Sequence, residues 1–66
     1  MTIALNGKEK QIDRPMTLLE LLLEMKIQPE LVVCEQNLKI VKRTELARSK
    51  VSDGDKIEIL QMIGGG

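Results

Sequence analysis

The sequence predicts an α+β fold: a mixed sheet of about five strands with one helix packed on one face. Three observations lead there. The chain opens on an alternating apolar pattern closed by Asn6-Gly7, it holds one strong helix start at Thr17, and three further apolar runs bounded by turn residues follow. In 66 residues, a single helix and several short strands bury their apolar surface most economically by laying the helix's stripe against one side of one sheet.

Met1, Ile3 and Leu5 alternate with Thr2, Ala4 and Asn6, the period of a half-buried strand, and Asn6-Gly7 favours a tight type I′ turn. The returning strand, residues 8–13, is polar apart from Ile12 and belongs near one side of the sheet. Thr17 and Glu20 have capping-box spacing, and Met16 stands where a hydrophobic staple would meet Leu21. The helix is expected over 17–26, with Leu18, Leu21, Leu22 and Met25 inward and Glu20 and Glu24 outward. Leu19 and Leu23 widen its apolar arc, either at the edge of the core or toward a partner. Pro29 disfavours a helical Gln28, so the helix should stop before it.

Residues 31–36 read as a third strand and 38–41 as a short fourth, joined through Asn37. A brief helical turn is expected at 44–47. Ser52-Asp53-Gly54-Asp55 is a turn cluster, and 56–63 follows as the last strand, with Ile57, Ile59 and Ile63 on one face. Helix and last strand are both strongly apolar, which places that strand centrally, beside the first. The chain therefore divides into a domain over 1–63 and a flexible glycine tail, 64–66.

Composition removes several functions. Lys+Arg and Asp+Glu both total 10, and without Phe, Tyr or Trp there is neither a charge excess nor a stacking platform for nucleic acid. The longest unbroken apolar run, Leu31 to Cys34, is too short to cross a bilayer, and no signal-peptide pattern opens the chain, so a cytoplasmic location is expected. One cysteine and no histidine leave no internal disulfide, no metal-ligand cluster and no imidazole-activated nucleophile. Chemistry at this protein is expected to be supplied by another.

The sequence stops at Gly64-Gly65-Gly66 directly after a strong strand. With glycine near 7% of residues, a random triple would close about 1 chain in 3,000. A frayed end or an engineered tail is the ordinary alternative. The functional reading has a physical reason: without Cβ atoms the backbone can pass a narrow channel and approach a nucleotide closely. Its terminal carboxylate would then attack the α-phosphate of ATP in a partner's active site.

Ile3-Ala4-Leu5-Asn6-Gly7, the Leu-rich helix after Thr17, the segment from Val51 through Asp53-Gly54-Asp55 to Ile59, and the Gly65-Gly66 end together resemble the ThiS family of sulfur carriers. The resemblance spans the chain and implies a ubiquitin-like β-grasp fold. It also implies a carrier in thiamine (thiazole) biosynthesis with no catalytic residue or cofactor of its own. Gly66 would be adenylated by a ThiF-like, E1-like enzyme that uses ATP, converted to a thiocarboxylate with sulfur from a donor system, and presented to a ThiG-like thiazole synthase, with Gly64 and Gly65 giving access. A carrier like the molybdopterin synthase small subunit, a ubiquitin-like modifier and a plain β-grasp interaction module are the alternatives. The third glycine and the lack of aromatic residues depart from the family pattern.

Three further features bear on function. Cys34 lies in an apolar run, where packing is its expected role and sulfur chemistry the alternative. Lys39, Lys42, Arg43, Arg48 and Lys50 form a basic stretch that either faces solvent or steers an acidic partner. Leu60 and Met62 alternate with the core positions of the last strand, so they should face away from the helix, as a docking patch or as a small edge of the core.

Overall fold

The computed structural model describes residues 1–62. Five strands, β1 (Thr2–Leu5), β2 (Lys8–Gln11), β3 (Val32–Gln36), β4 (Lys39–Val41) and β5 (Lys56–Gln61), form one sheet in the order β2-β1-β5-β3-β4, and α1 (Leu18–Glu24) is its single α-helix. β5 is central, parallel to β1 and antiparallel to β3, as the apolar content of the two elements requires. This is the β-grasp arrangement.

The first turn follows from its residues. Asn6 and Gly7 both take positive φ, 49° and 82°, which sets the twist of the β1–β2 hairpin. Asn37 and Leu38 do the same between β3 and β4, at 54° and 72°. Here a leucine occupies a position that favours glycine, so Leu38 belongs to the turn and not to the strand expected from residue 38.

α1 starts as its sequence indicates. The Thr17 N–H donates to Glu20 Oε1 at 2.8 Å, and the Glu20 N–H donates to Thr17 Oγ1 at 3.2 Å. Two further N–H groups of the first turn, from Leu18 and Leu19, find the carbonyls of Ser49 and Leu46 at 2.8 and 3.1 Å. Its end differs from expectation. The helix closes at Glu24, not Lys26, because Lys26 adopts φ 61° and the Lys26 and Ile27 N–H groups return to the carbonyls of Leu23 and Leu22, at 3.0 and 2.9 Å. That paired closure ends the helix before proline can act, and Pro29 instead opens a 3₁₀ turn, Pro29–Leu31, which takes Leu31 out of the third strand.

The core lies between α1 and one face of the sheet. Leu18, Leu21 and Leu22 from the helix meet Ile3, Val32, Cys34 and Ile57 from the strands, with Met16 and Ile12 closing one end. Met25 and Leu19 pack at the margin, while Leu23 is exposed. Leu46 and Val51 are also buried, although each stands alone in a polar stretch with no periodicity to reveal it. The expected turn at 44–47 is a 3₁₀ turn over Arg43–Glu45 that continues into Leu46 and swings this side chain under the helix. Ile63 and Gly64–Gly66 lie outside the described residues, and with them the expected end of the domain and the tail.

Candidate functional site

β5 carries the site because its two faces have opposite jobs. Ile57 and Ile59 point to the helix, which leaves Leu60 on the open face by strict alternation. Leu60 is 50% and Met62 55% exposed. The antiparallel register sets Val33 directly beside Leu60, and the Met62 N–H donates to the Leu31 carbonyl at 2.9 Å, placing exposed Leu31 next to Met62. The apolar pair expected at residues 60 and 62 is thus part of a four-residue patch with Leu31 and Val33. Val33 lies between the buried Val32 and Cys34, so its side chain falls on the open face, a placement the unbroken apolar run 31–34 does not reveal.

The start of β5 is held by a polar cluster. Asp55 is 8% exposed, and its carboxylate accepts from Gln36 Nε2 and the Ser52 N–H, both at 2.8 Å, and from Asn37 Nδ2 at 3.0 Å. Asn37 Oδ1 in turn accepts from the Lys56 N–H at 2.9 Å, and the Asn37 N–H donates to the Lys56 carbonyl at 2.7 Å. Asp53 Oδ1 accepts from the Thr2 N–H at 2.7 Å. Burial would raise the Asp55 pKa, but the hydrogen bonds from Asn37, Ser52 and Gln36 outweigh it and hold this carboxyl below the ordinary aspartate range. The Asp-Gly-Asp turn is therefore a joint that fixes β5 against β1 and the β3–β4 turn. Its effect on the site is to position the strand whose far end leads to the tail.

Cys34 sits on the core face of β3, 2% exposed, and burial pushes its thiol pKa up. A buried thiol with no activating neighbour is a poor nucleophile. Cys34→Ala is expected to lower stability by about 1 kcal/mol without preventing a partner from loading sulfur onto the chain. Loss of loading in a variant with native circular dichroism would show instead that the thiol takes part.

Gly64, Gly65 and Gly66, the residues assigned to access and attachment, lie outside the described residues. Beside the end of β5, on the helix side, Met25, Ile27, Val32 and Ile59 line a groove of about 370 Å³. Among the described residues no group of His, Cys, Asp or Glu is arranged to hold a metal ion. No described helix is long and apolar enough to cross a membrane.

Comparison with known proteins agrees with this geometry. A thiazole synthase of Paramagnetospirillum magneticum is 41% identical over 66 residues, and the chain spans 20% of the length of that relative. The crystal structure of the thiamine biosynthesis protein ThiS from Geobacter metallireducens superposes with a TM-score of 0.87 at 35% identity, each chain covered in full. The solution structure of a thiamine biosynthesis protein from the same organism gives 0.82 at 35% identity, covering 100% of this chain and 88% of the other. The ThiS family model matches residues 3–66, a span that takes in the Asp-Gly-Asp joint, β5 and the glycines beyond it, and the chain belongs to the ThiS family.

Proposed function

We propose that this protein is a sulfur carrier of thiazole formation that works through the carboxylate of Gly66 and is acted on by partner enzymes. The observation that carries the reading is the family match running through the glycines at 64–66, behind a strand whose outward residues form an apolar patch. In the activating partner a Gly66 oxygen attacks the α-phosphorus of ATP and pyrophosphate leaves. A sulfur nucleophile from a donor protein then attacks the acyl carbon and AMP leaves. With a persulfide as the donor's nucleophile the linkage is an acyl disulfide. A thiol that attacks its donor-side sulfur breaks the S–S bond, forming a disulfide with the donor and releasing the thiocarboxylate, the form that delivers sulfur to a thiazole synthase. A segment 41% identical to this chain makes up a fifth of a protein named thiazole synthase, which supports the last step. The intact mass of the protein from its native host tests the reading: replacement of a terminal oxygen by sulfur is expected, and an unmodified terminus under conditions of thiamine demand would refute it.

The patch of Leu31, Val33, Leu60 and Met62 is the surface on which the adenylating enzyme would seat the carrier. Apolar side chains half exposed beside a reactive terminus suit a transient contact that must form and release. Leu60→Glu and Met62→Glu are each expected to weaken that complex by about 1 to 3 kcal/mol while leaving thermal unfolding within a few degrees of the parent. Calorimetry with the purified enzyme makes the comparison, and undiminished affinity in both variants would remove the patch from the interface.

A further inference from the structure

We infer that the β4 edge is a second docking surface, one that takes an extended, acidic segment of a protein partner as an additional strand. The two edges of the sheet are built differently. β2 shows charged and polar side chains, Lys8-Glu9-Lys10-Gln11, the ordinary protection of a free edge. β4 instead presents Ile40, 68% exposed, next to Leu38, at 82% the most exposed large apolar residue among those described. Leu38 also holds φ 72°, a backbone region that leucine occupies only at a cost, and it contributes nothing to the core. An exposed, strained leucine beside an edge strand that also exposes Ile40 points to a contact outside the fold.

Charge decides what kind of contact. Residues 37–50 carry five Lys or Arg side chains and one Glu, in a chain that is neutral overall. Glu45 is 3.7 Å from Arg48, and among the described residues Lys39, Lys42, Arg43 and Lys50 have no ion-pair partner. Two of these exposed bases, Lys39 and Lys42, line a groove of about 460 Å³ beside β4 together with Ile40, Glu45 and Ser49. The faces of the strand sort the ligand further. Ile40 lies opposite Glu35 on the open face, so an apolar row of the incoming strand belongs there. Lys39 is on the helix side, opposite Gln36, so the acidic row belongs there. With no aromatic residue to stack bases, a strand-forming acidic peptide fits this edge better than nucleic acid does.

The surface is separate from the end of the sheet where Met62 lies. β4 is divided from β5 by β3, and the Asn37-Leu38 turn sits beside Lys56 at the start of β5, whereas Met62 meets Leu31 at the opposite end of the sheet. A protein held at β4 therefore leaves the apolar patch of Leu31, Val33, Leu60 and Met62 accessible to another.

The test titrates the full ¹⁵N-labelled chain with a synthetic peptide alternating isoleucine and aspartate, and reads amide shifts by NMR. Saturable shifts centred on residues 38–42 are expected, weakened about tenfold by Lys39→Glu and again by raised salt. The same peptide with lysine for aspartate should not bind. Leu38→Gly separates folding from binding: it is expected to raise the unfolding temperature, by relieving the positive φ, and to weaken the peptide several-fold. Absence of saturable shifts at β4, equal binding of the lysine peptide, or full affinity in Leu38→Gly would each overturn the inference. So would shifts at β4 produced by a single-stranded oligonucleotide or by phosphatidylserine vesicles but not by the acidic peptide.

Discussion

Replacing Asp55 by alanine is expected to lower stability by about 3 kcal/mol and the unfolding temperature by about 12 to 24 °C. The carboxylate accepts three hydrogen bonds inside a residue that is almost wholly covered, and charged acceptors contribute more than neutral ones. Alanine would leave the Gln36 and Asn37 amides and the Ser52 N–H without that acceptor. Water can reach Asn37 and Ser52, both exposed, so the loss stays below the full sum of three buried bonds. In a domain of this size about 3 kcal/mol is a large part of the total. Asp53→Ala in the same turn is the control: its carboxylate makes one exposed hydrogen bond, to the Thr2 N–H, and its loss should cost about 1 kcal/mol. Equal effects from the two substitutions, measured by urea unfolding, would mean that the turn and not the Asp55 network holds β5.

The same network sets an acid limit. The Asp55 pKa is lower in the folded protein than in the unfolded chain, where it lies near 3.9, so between those two values the unfolded state binds more protons. Its contribution is complete above the unfolded value and fades as pH falls through the folded one. Wild-type stability should therefore decline below about pH 4, and Asp55→Asn should decline less steeply over that interval.

Most of the sheet was legible because its signals are local. Asn6-Gly7, the Thr17–Glu20 capping box and the alternation in 56–61 each depend on neighbouring residues, and each appears in the structure where its residues stand. The misreadings arise where distant parts of the chain decide. Lys26 ends α1 in a conformation that its side chain does not favour, so only the backbone bonds to Leu22 and Leu23 reveal it. Leu46 and Val51 become core because the loop between β4 and β5 passes beneath the helix N-terminus, a path with no periodic trace. At the site, Leu60 and Met62 followed from period two alone. Val33 and Leu31 required the β3–β5 register, which pairing across the sheet sets. The acceptor role of Asp55 was hidden for the same reason, since its partners Gln36 and Asn37 are nearly twenty positions away in sequence.

Gly66 is where the largest functional effect is expected. Deleting it, or substituting Gly65→Val, should abolish ATP–pyrophosphate exchange by the adenylating partner while the unfolding temperature stays near that of the parent. Stability is expected to hold because the buried core among the described residues runs from Ile3 to Ile57, with Ile59 packed against it, and the outermost described contact beyond β5 is the backbone bond from Met62 to Leu31. The proposed activation has a different requirement: a carboxylate would have to reach the α-phosphorus of a nucleotide bound in another protein. The deletion still ends in a glycine carboxylate, that of Gly65, so its failure would report reach alone. The valine variant keeps the length but adds a β-branched side chain, which restricts the backbone and widens it where it must enter a narrow channel. Gly65→Ala, with a Cβ but no branch, should fall between glycine and valine. The two variants thus separate length from width, and exchange at the parental rate in both would place the working end of this carrier somewhere other than Gly66.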